Sequence, residues 1–148
     1  MVGVMASRIA ALADQLPHAA LARYGGCPRL VTMETPCRQV LVIDGDPQVR
    51  RKLAGRLSTA GHIVYTAADR ADALTYLMEA EIDLIVTEYS MGRTTGREWL
   101  RFLRTHFAET EVVIVTALPL RASSARWTVF RKPLDLDALE QHLGQAAA

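Results

Sequence analysis

Four polar residues stand at or just beyond the carboxyl ends of short apolar runs. Asp44 follows Val40-Leu41-Val42-Ile43, Glu88 closes the run Ile82 to Thr87, Thr116 follows Val112-Val113-Ile114-Val115, and Lys132 comes shortly after Trp127 to Phe130. A carboxylate is costly to leave in an apolar interior, so Glu88 is expected where its strand ends and the chain emerges into a loop. Brought together, the four would be an acid pair, a hydroxyl and a cation around one pocket. A carboxylate beside a lysine can equally be a structural ion pair with no chemistry of its own.

The apolar runs are the strands that must position these groups, and they alternate with helical patterns. Ile82 to Glu88 reads as the central strand, apolar enough to be buried on both faces. After Asp44, Asp46-Pro47 supplies an N-cap and a proline at the first helical position. Val49, Leu53 and Leu57 then share a face, Arg50, Arg51, Lys52 and Arg56 take the wet side, and Gly61 ends the helix. His62 to Ala67 reads as a shorter, more polar edge strand. Asp69 caps a second helix whose Ala73, Leu74, Leu77 and Met78 are expected to face inward. Residues 89 to 96 form a polar loop, Thr95 and Glu98 have capping-box spacing, and Trp99, Leu100 and Leu103 face the sheet. A final helix after Asp135 carries Leu136, Leu139 and Leu143 on one side. Five strands alternating with helices give a doubly wound α/β fold around a five-stranded parallel sheet. In such a sheet the strand ends converge on one edge, so the four polar residues become neighbours.

The chain has 148 residues, half of them apolar, with 17 basic and 16 acidic side chains. That fits one domain with an ordinary core and gives no bulk attraction to nucleic acid or anionic membrane. No apolar run approaches the roughly 20 residues of a membrane span. The mildly apolar stretch Met5 to Leu16 is broken by Arg8, Asp14 and Gln15, so neither a signal peptide nor membrane association is expected and the location reads as cytoplasmic. Cys27 and Cys37 are too few for a disulfide framework and are expected to be reduced, and the four histidines show no ligand spacing. Residues 1–38 differ in composition and read as an N-terminal extension, a short helix over Ser7 to Gln15 followed by a linker, ahead of a domain over 39–148.

Taken jointly, Val-Ile-Asp44, Asp-Leu-Ile-Val-Thr-Glu88 with Met91, Thr116-Ala117 and Lys132-Pro133 resemble the receiver domain of two-component response regulators. The resemblance implies a flavodoxin-like receiver fold. In that family a histidine kinase passes a phosphoryl group to an aspartate after the third strand, beside magnesium held partly by a pair of acids after the first. By position, Glu88 then occupies the phosphoacceptor site, Asp44 the first acid, Thr116 the switch hydroxyl and Lys132 the cation. Three departures stand out: Glu88 replaces the aspartate, Gly45 the second acid, and Gly92 a usual proline. Loss of a carboxylate at Gly45 removes a ligand and its charge, so no metal is expected, or weak magnesium at most; Asp44, Glu88 and Ser90 would be the ligands if any were held. Glu88, one methylene longer, is expected to place a fixed negative charge towards Lys132 and Thr116, or else to be only a structural partner of the lysine.

A fourth departure is the short crossover between Thr116 and Trp127, where Pro119 and Ser123-Ser124 weaken any helix. Val129 stands where the family usually carries an aromatic switch residue. The expectation is a stand-alone pseudo-receiver in phosphorelay signal transduction, with no catalysis, acting by protein–protein contact. Its partner would be a histidine kinase, a phosphotransfer protein or another regulator, with a homodimer left open. The alternatives are a conventional phosphorylatable receiver and a haloacid-dehalogenase-like phosphatase with Asp44 as nucleophile and Asp46 as general acid. Against the phosphatase stand the out-of-pattern Gln48 and the lack of a later acidic motif.

Overall fold

The computed structural model describes residues 36–93, 95–120 and 127–145. The helix expected over Ser7 to Gln15, and with it nearly all of the N-terminal extension, lies outside the described residues. In chain order the elements are β1 (Gln39–Ile43), α1 (Pro47–Thr59), β2 (Ile63–Ala67), α2 (Arg70–Glu79), β3 (Leu84–Glu88), α3 (Gly96–His106), β4 (Glu111–Thr116), β5 (Thr128–Arg131) and α4 (Leu136–Gln145). The strands form one parallel sheet in the order β2-β1-β3-β4-β5. β3 is central and buried along its whole length, and β2 is an edge, as their compositions require.

The order steps outward from β1 in both directions, which puts helices on both faces and produces two cores. On one face Leu53 and Leu57 of α1 pack with Leu139 and Leu143 of α4 over Val40, Val42, Leu84, Val86, Val113 and Val115. On the other, Ala73 and Leu77 of α2 and Trp99 and Leu103 of α3 pack over Leu41, Ile43, Ile85 and Val112. Alternate residues of one strand thus feed opposite cores, as the pleat dictates.

Helix boundaries follow the capping chemistry. Asp46 accepts from the Gln48 amide with Pro47 directly after it, and Asp69 accepts from Asp72. Thr95 and Glu98 complete a reciprocal capping box, and Asp135 accepts from Asp137 and Ala138. Gly61, just beyond the cap of α1, has φ of 93°, a conformation that favours glycine.

Several local expectations are corrected. Met78 is 83% exposed rather than inward. It lies five positions from Ala73, about 140° around the helix, whereas Leu77 lies only about 40° away. Arg50 is half-buried, not on the solvated face: it donates to the carbonyl oxygens of Asp44 at 2.6 Å and Gly45 at 3.2 Å. Cys37 is disulfide-bonded rather than reduced. Ile82 and Asp83 precede β3, and Trp127 precedes β5, so all three lie outside the strands in which the apolar runs predict them. Arg38, read as linker, is already anchored: its carbonyl accepts from Ile63 and its guanidinium pairs with Glu111 at 2.7 Å. The link from β4 to β5 runs over 117–127, of which 121–126 lie outside the described residues.

Candidate functional site

All five strands point the same way, so β1, β3, β4 and β5 deliver their last residues to one edge. The register places Glu88 beside Val115, and Thr116 beside Arg131. Asp44, Glu88 and Thr116 are all buried there, at 4%, 9% and 1% exposure. The Lys132 amide donates to the Thr116 carbonyl at 2.9 Å, which fixes where the lysine side chain starts. Its ammonium then lies 2.7 Å from Asp44 Oδ2 and 2.7 Å from Glu88 Oε2. All four expected residues are thus brought together.

Every carboxylate oxygen of the acid pair accepts a hydrogen bond. Asp44 Oδ1 accepts from the Asp46 amide at 2.8 Å, and Oδ2 from Lys132. Glu88 Oε1 accepts from the amides of Tyr89 at 2.8 Å and Ser90 at 3.2 Å, while Oε2 faces Lys132. The Thr116 oxygen accepts from the Leu118 amide at 3.2 Å, and its hydroxyl favours the ionised form of Glu88. Burial opposes the Glu88 charge, but Lys132, Thr116 and the Ser90 amide outweigh it and hold the carboxyl below its ordinary value. Burial likewise opposes the Lys132 charge, and Asp44 and Glu88 overcome it, holding the ammonium above the ordinary lysine value.

Asp44, Glu88 and Lys132 form a charged triad on one wall of an open depression of about 580 Å³, whose lining includes Asp46, Asp69, Arg70, Ser90 and Arg93. Gly45 also lines it, and a Cβ there would meet nothing within 4 Å. Asp46, the general acid of the phosphatase reading, spends its carboxylate on the Gln48 amide. Two arginines take up positions that the sequence reading did not assign them. Arg50 braces the β1–α1 loop, and Arg70 reaches over to the Tyr89 carbonyl at 3.2 Å with its guanidinium 5.5 Å from the Trp99 ring centre. Position directly after an N-cap was the one available signal for Arg70. Trp99 itself is buried packing, its indole donating to Thr87 at 3.2 Å. Among the described residues, no group of three or more His, Cys, Asp or Glu side chains is placed to share an ion.

A family model described as the response regulator receiver domain matches residues 40–143. The chain belongs to this family. Receiver domains serve two-component signalling, and the similar curated proteins include a sensor histidine kinase and transcriptional regulatory proteins. The sensor histidine kinase RcsC of Salmonella typhi is 34% identical over 110 residues, covering 70% of this chain and 12% of that protein. The transcriptional regulatory protein GlrR of Escherichia coli is 29% identical over 113 residues, covering 72% of this chain and 26% of that protein. The receiver therefore spans only a small part of these relatives. Among solved structures, the chemotaxis response regulator CheY4 of Vibrio cholerae matches with a TM-score of 0.67 at 24% identity, covering 76% of this chain and 100% of that one. A signal receiver domain of an HD domain-containing protein from Pseudomonas fluorescens matches with a TM-score of 0.68 at 21% identity, covering 75% and 94%. These two likenesses carry the receiver fold.

Proposed function

We propose that this receiver is a pseudo-receiver in a phosphorelay, signalling through protein contact and independently of phosphorylation. The observation that carries the reading is that one carboxylate, Glu88, engages Lys132 and is favoured by Thr116 at the same time. Those are the two groups that the family resemblance assigns to the phosphoryl oxygens of an acylated aspartate. Glu88 supplies a permanent anion there.

A magnesium ion does not fit the residues present. Gly45 offers no ligand, and the carboxylate oxygens of Asp44 and Glu88 are all engaged by amides or by the Lys132 ammonium. An ion would have to displace that ammonium and bind against its charge. Without metal support the Glu88 carboxylate, its charge already shared with Lys132, is a poor nucleophile for in-line transfer. The chain is accordingly a binding module and not an enzyme. Its partner is another signalling protein, such as a histidine kinase, a phosphotransfer protein or a regulator.

The test is to incubate the protein with magnesium and a small acyl phosphate and weigh it. We expect no mass change, and binding of the native partner that weakens in Glu88→Gln. A stable phosphoryl adduct on Glu88 overturns the proposal. Partner binding indifferent to Glu88→Gln would instead make the Glu88–Lys132 contact a structural ion pair.

A further inference from the structure

The face built by α2 and α3 carries two opposed rows of charge. Both helices pack on the same side of the sheet. Each returns from the carboxyl edge of a parallel sheet to its amino edge, so the two run in the same direction. The outer side of α2 exposes Asp72 and Glu79, with Glu81 just beyond, and the outer side of α3 exposes Arg97, Arg101 and Arg104. None of these arginines forms an ion pair with a described residue. Between the acids, Met78 stands 83% exposed, which folding of the single chain gives no reason to favour.

The two rows have the same pitch. Asp72 and Glu79 are separated by the same number of residues as Arg97 and Arg104, about 10.5 Å along either axis at 1.5 Å per residue. We propose that this face is an interface between two copies of the chain, related by a two-fold axis lying parallel to the helices. That operation sets α2 of each protomer on α3 of its partner with the helix directions preserved. Asp72 then meets the partner's Arg97 region and Glu79 its Arg104 region, twice over, because an isologous contact repeats every pair. The other in-plane two-fold, perpendicular to the helices, would set α2 on α2 and α3 on α3, acid on acid and base on base. Charge therefore selects a single orientation, and Met78 supplies an apolar contact inside a polar rim.

The 148-residue chain tests this by sedimentation or light scattering, at about 50 mM and about 0.5 M salt, where screening differs severalfold in range. We expect a concentration-dependent dimer that dissociates in high salt. Arg104→Glu alone and Glu79→Lys alone should each weaken self-association roughly tenfold or more, since each reversal acts twice across the axis. Both substitutions in one chain should restore the dimer, because the reversed residues face each other across it. Circular dichroism establishes that every variant is folded. A chain that stays monomeric at low salt, a dimer indifferent to either reversal, or a double variant that fails to recover overturns the proposal.

Discussion

Lys132 Nζ lies 2.7 Å from Glu88 Oε2 and at the same distance from Asp44 Oδ2. One ammonium thus serves two buried carboxylates, one just past the end of β1 and one at the end of β3, from a position beyond β5. The arrangement ties three strand ends together and leaves the triad with one net negative charge. Its consequences can be measured on stability, acidity and metal affinity.

Removing the cation should cost more than removing one acid. Lys132→Met leaves Asp44 and Glu88 facing each other without a counter-charge, and should destabilise the fold by about 2–4 kcal/mol. Glu88→Gln leaves Lys132 paired with Asp44, and should cost about 1–2 kcal/mol. Urea unfolding of the two variants decides, and the reverse order would show that the triad does not share its charge as its geometry indicates.

The same triad sets a pH dependence of known sign. The folded Glu88 carboxyl lies below its ordinary 4.5, so its contribution is present above that value and is lost as pH falls through the folded one. The folded Lys132 lies above its ordinary 10.5, so its contribution is present below that value and is lost as pH rises through the folded one. Stability contributed by Glu88 and Lys132 should therefore be level between about pH 5 and pH 10. Urea midpoints of Glu88→Gln measured against pH should show a flatter acid limb than wild type; an unchanged acid limb would remove Glu88 from the account.

Restoring what the family pattern contains should restore its chemistry. A Cβ at Gly45 meets nothing within 4 Å, so Gly45→Asp introduces a carboxylate without a clash. Combined with Glu88→Asp, which shortens the side chain by one methylene and withdraws it from Lys132, it returns the missing ligand charge and frees the carboxylate already present at position 88. Calorimetry should then show magnesium binding at least about tenfold tighter than wild type, and acyl phosphate should label the double variant. Equal affinities in the two proteins would mean that Gly45 and Glu88 do not control the metal site.

Gly96 begins α3 hard against the loop that follows Glu88. A Cβ there would fall 2.5 Å from the Tyr89 ring and from the Tyr89 carbonyl oxygen. Gly96→Ala should therefore lower stability by about 1–3 kcal/mol despite the better helix propensity of alanine. Thermal unfolding reads this directly, and a neutral or stabilised variant would mean that the Tyr89 loop yields freely.

Much of this molecule was legible along the chain because its signals are local. Apolar runs of strand length, Asp46-Pro47, the Thr95–Glu98 capping box and the leucines of α4 each state a period or a cap that neighbouring residues complete by themselves. The resemblance then named the edge at which Asp44, Glu88, Thr116 and Lys132 meet. Where the reading failed, the deciding contact was distant or a matter of phase. Met78 turned outward because the buried face of α2 is centred on Ala73 and Leu77, and only the sheet beneath decides where that face points.

The sequence by itself determined the doubly wound order of elements, which depends on residue type and spacing alone, and its resemblance to receivers marked Gly45 as standing where an acid is usual. Only the tertiary structure decided that Lys132 divides itself between Asp44 and Glu88, that Arg50 folds back onto the β1–α1 loop, and that the charges of α2 and α3 share one face. The first and last of these bring together residues far apart along the chain, and in all three the distances that make an ion pair or a hydrogen bond are set by packing.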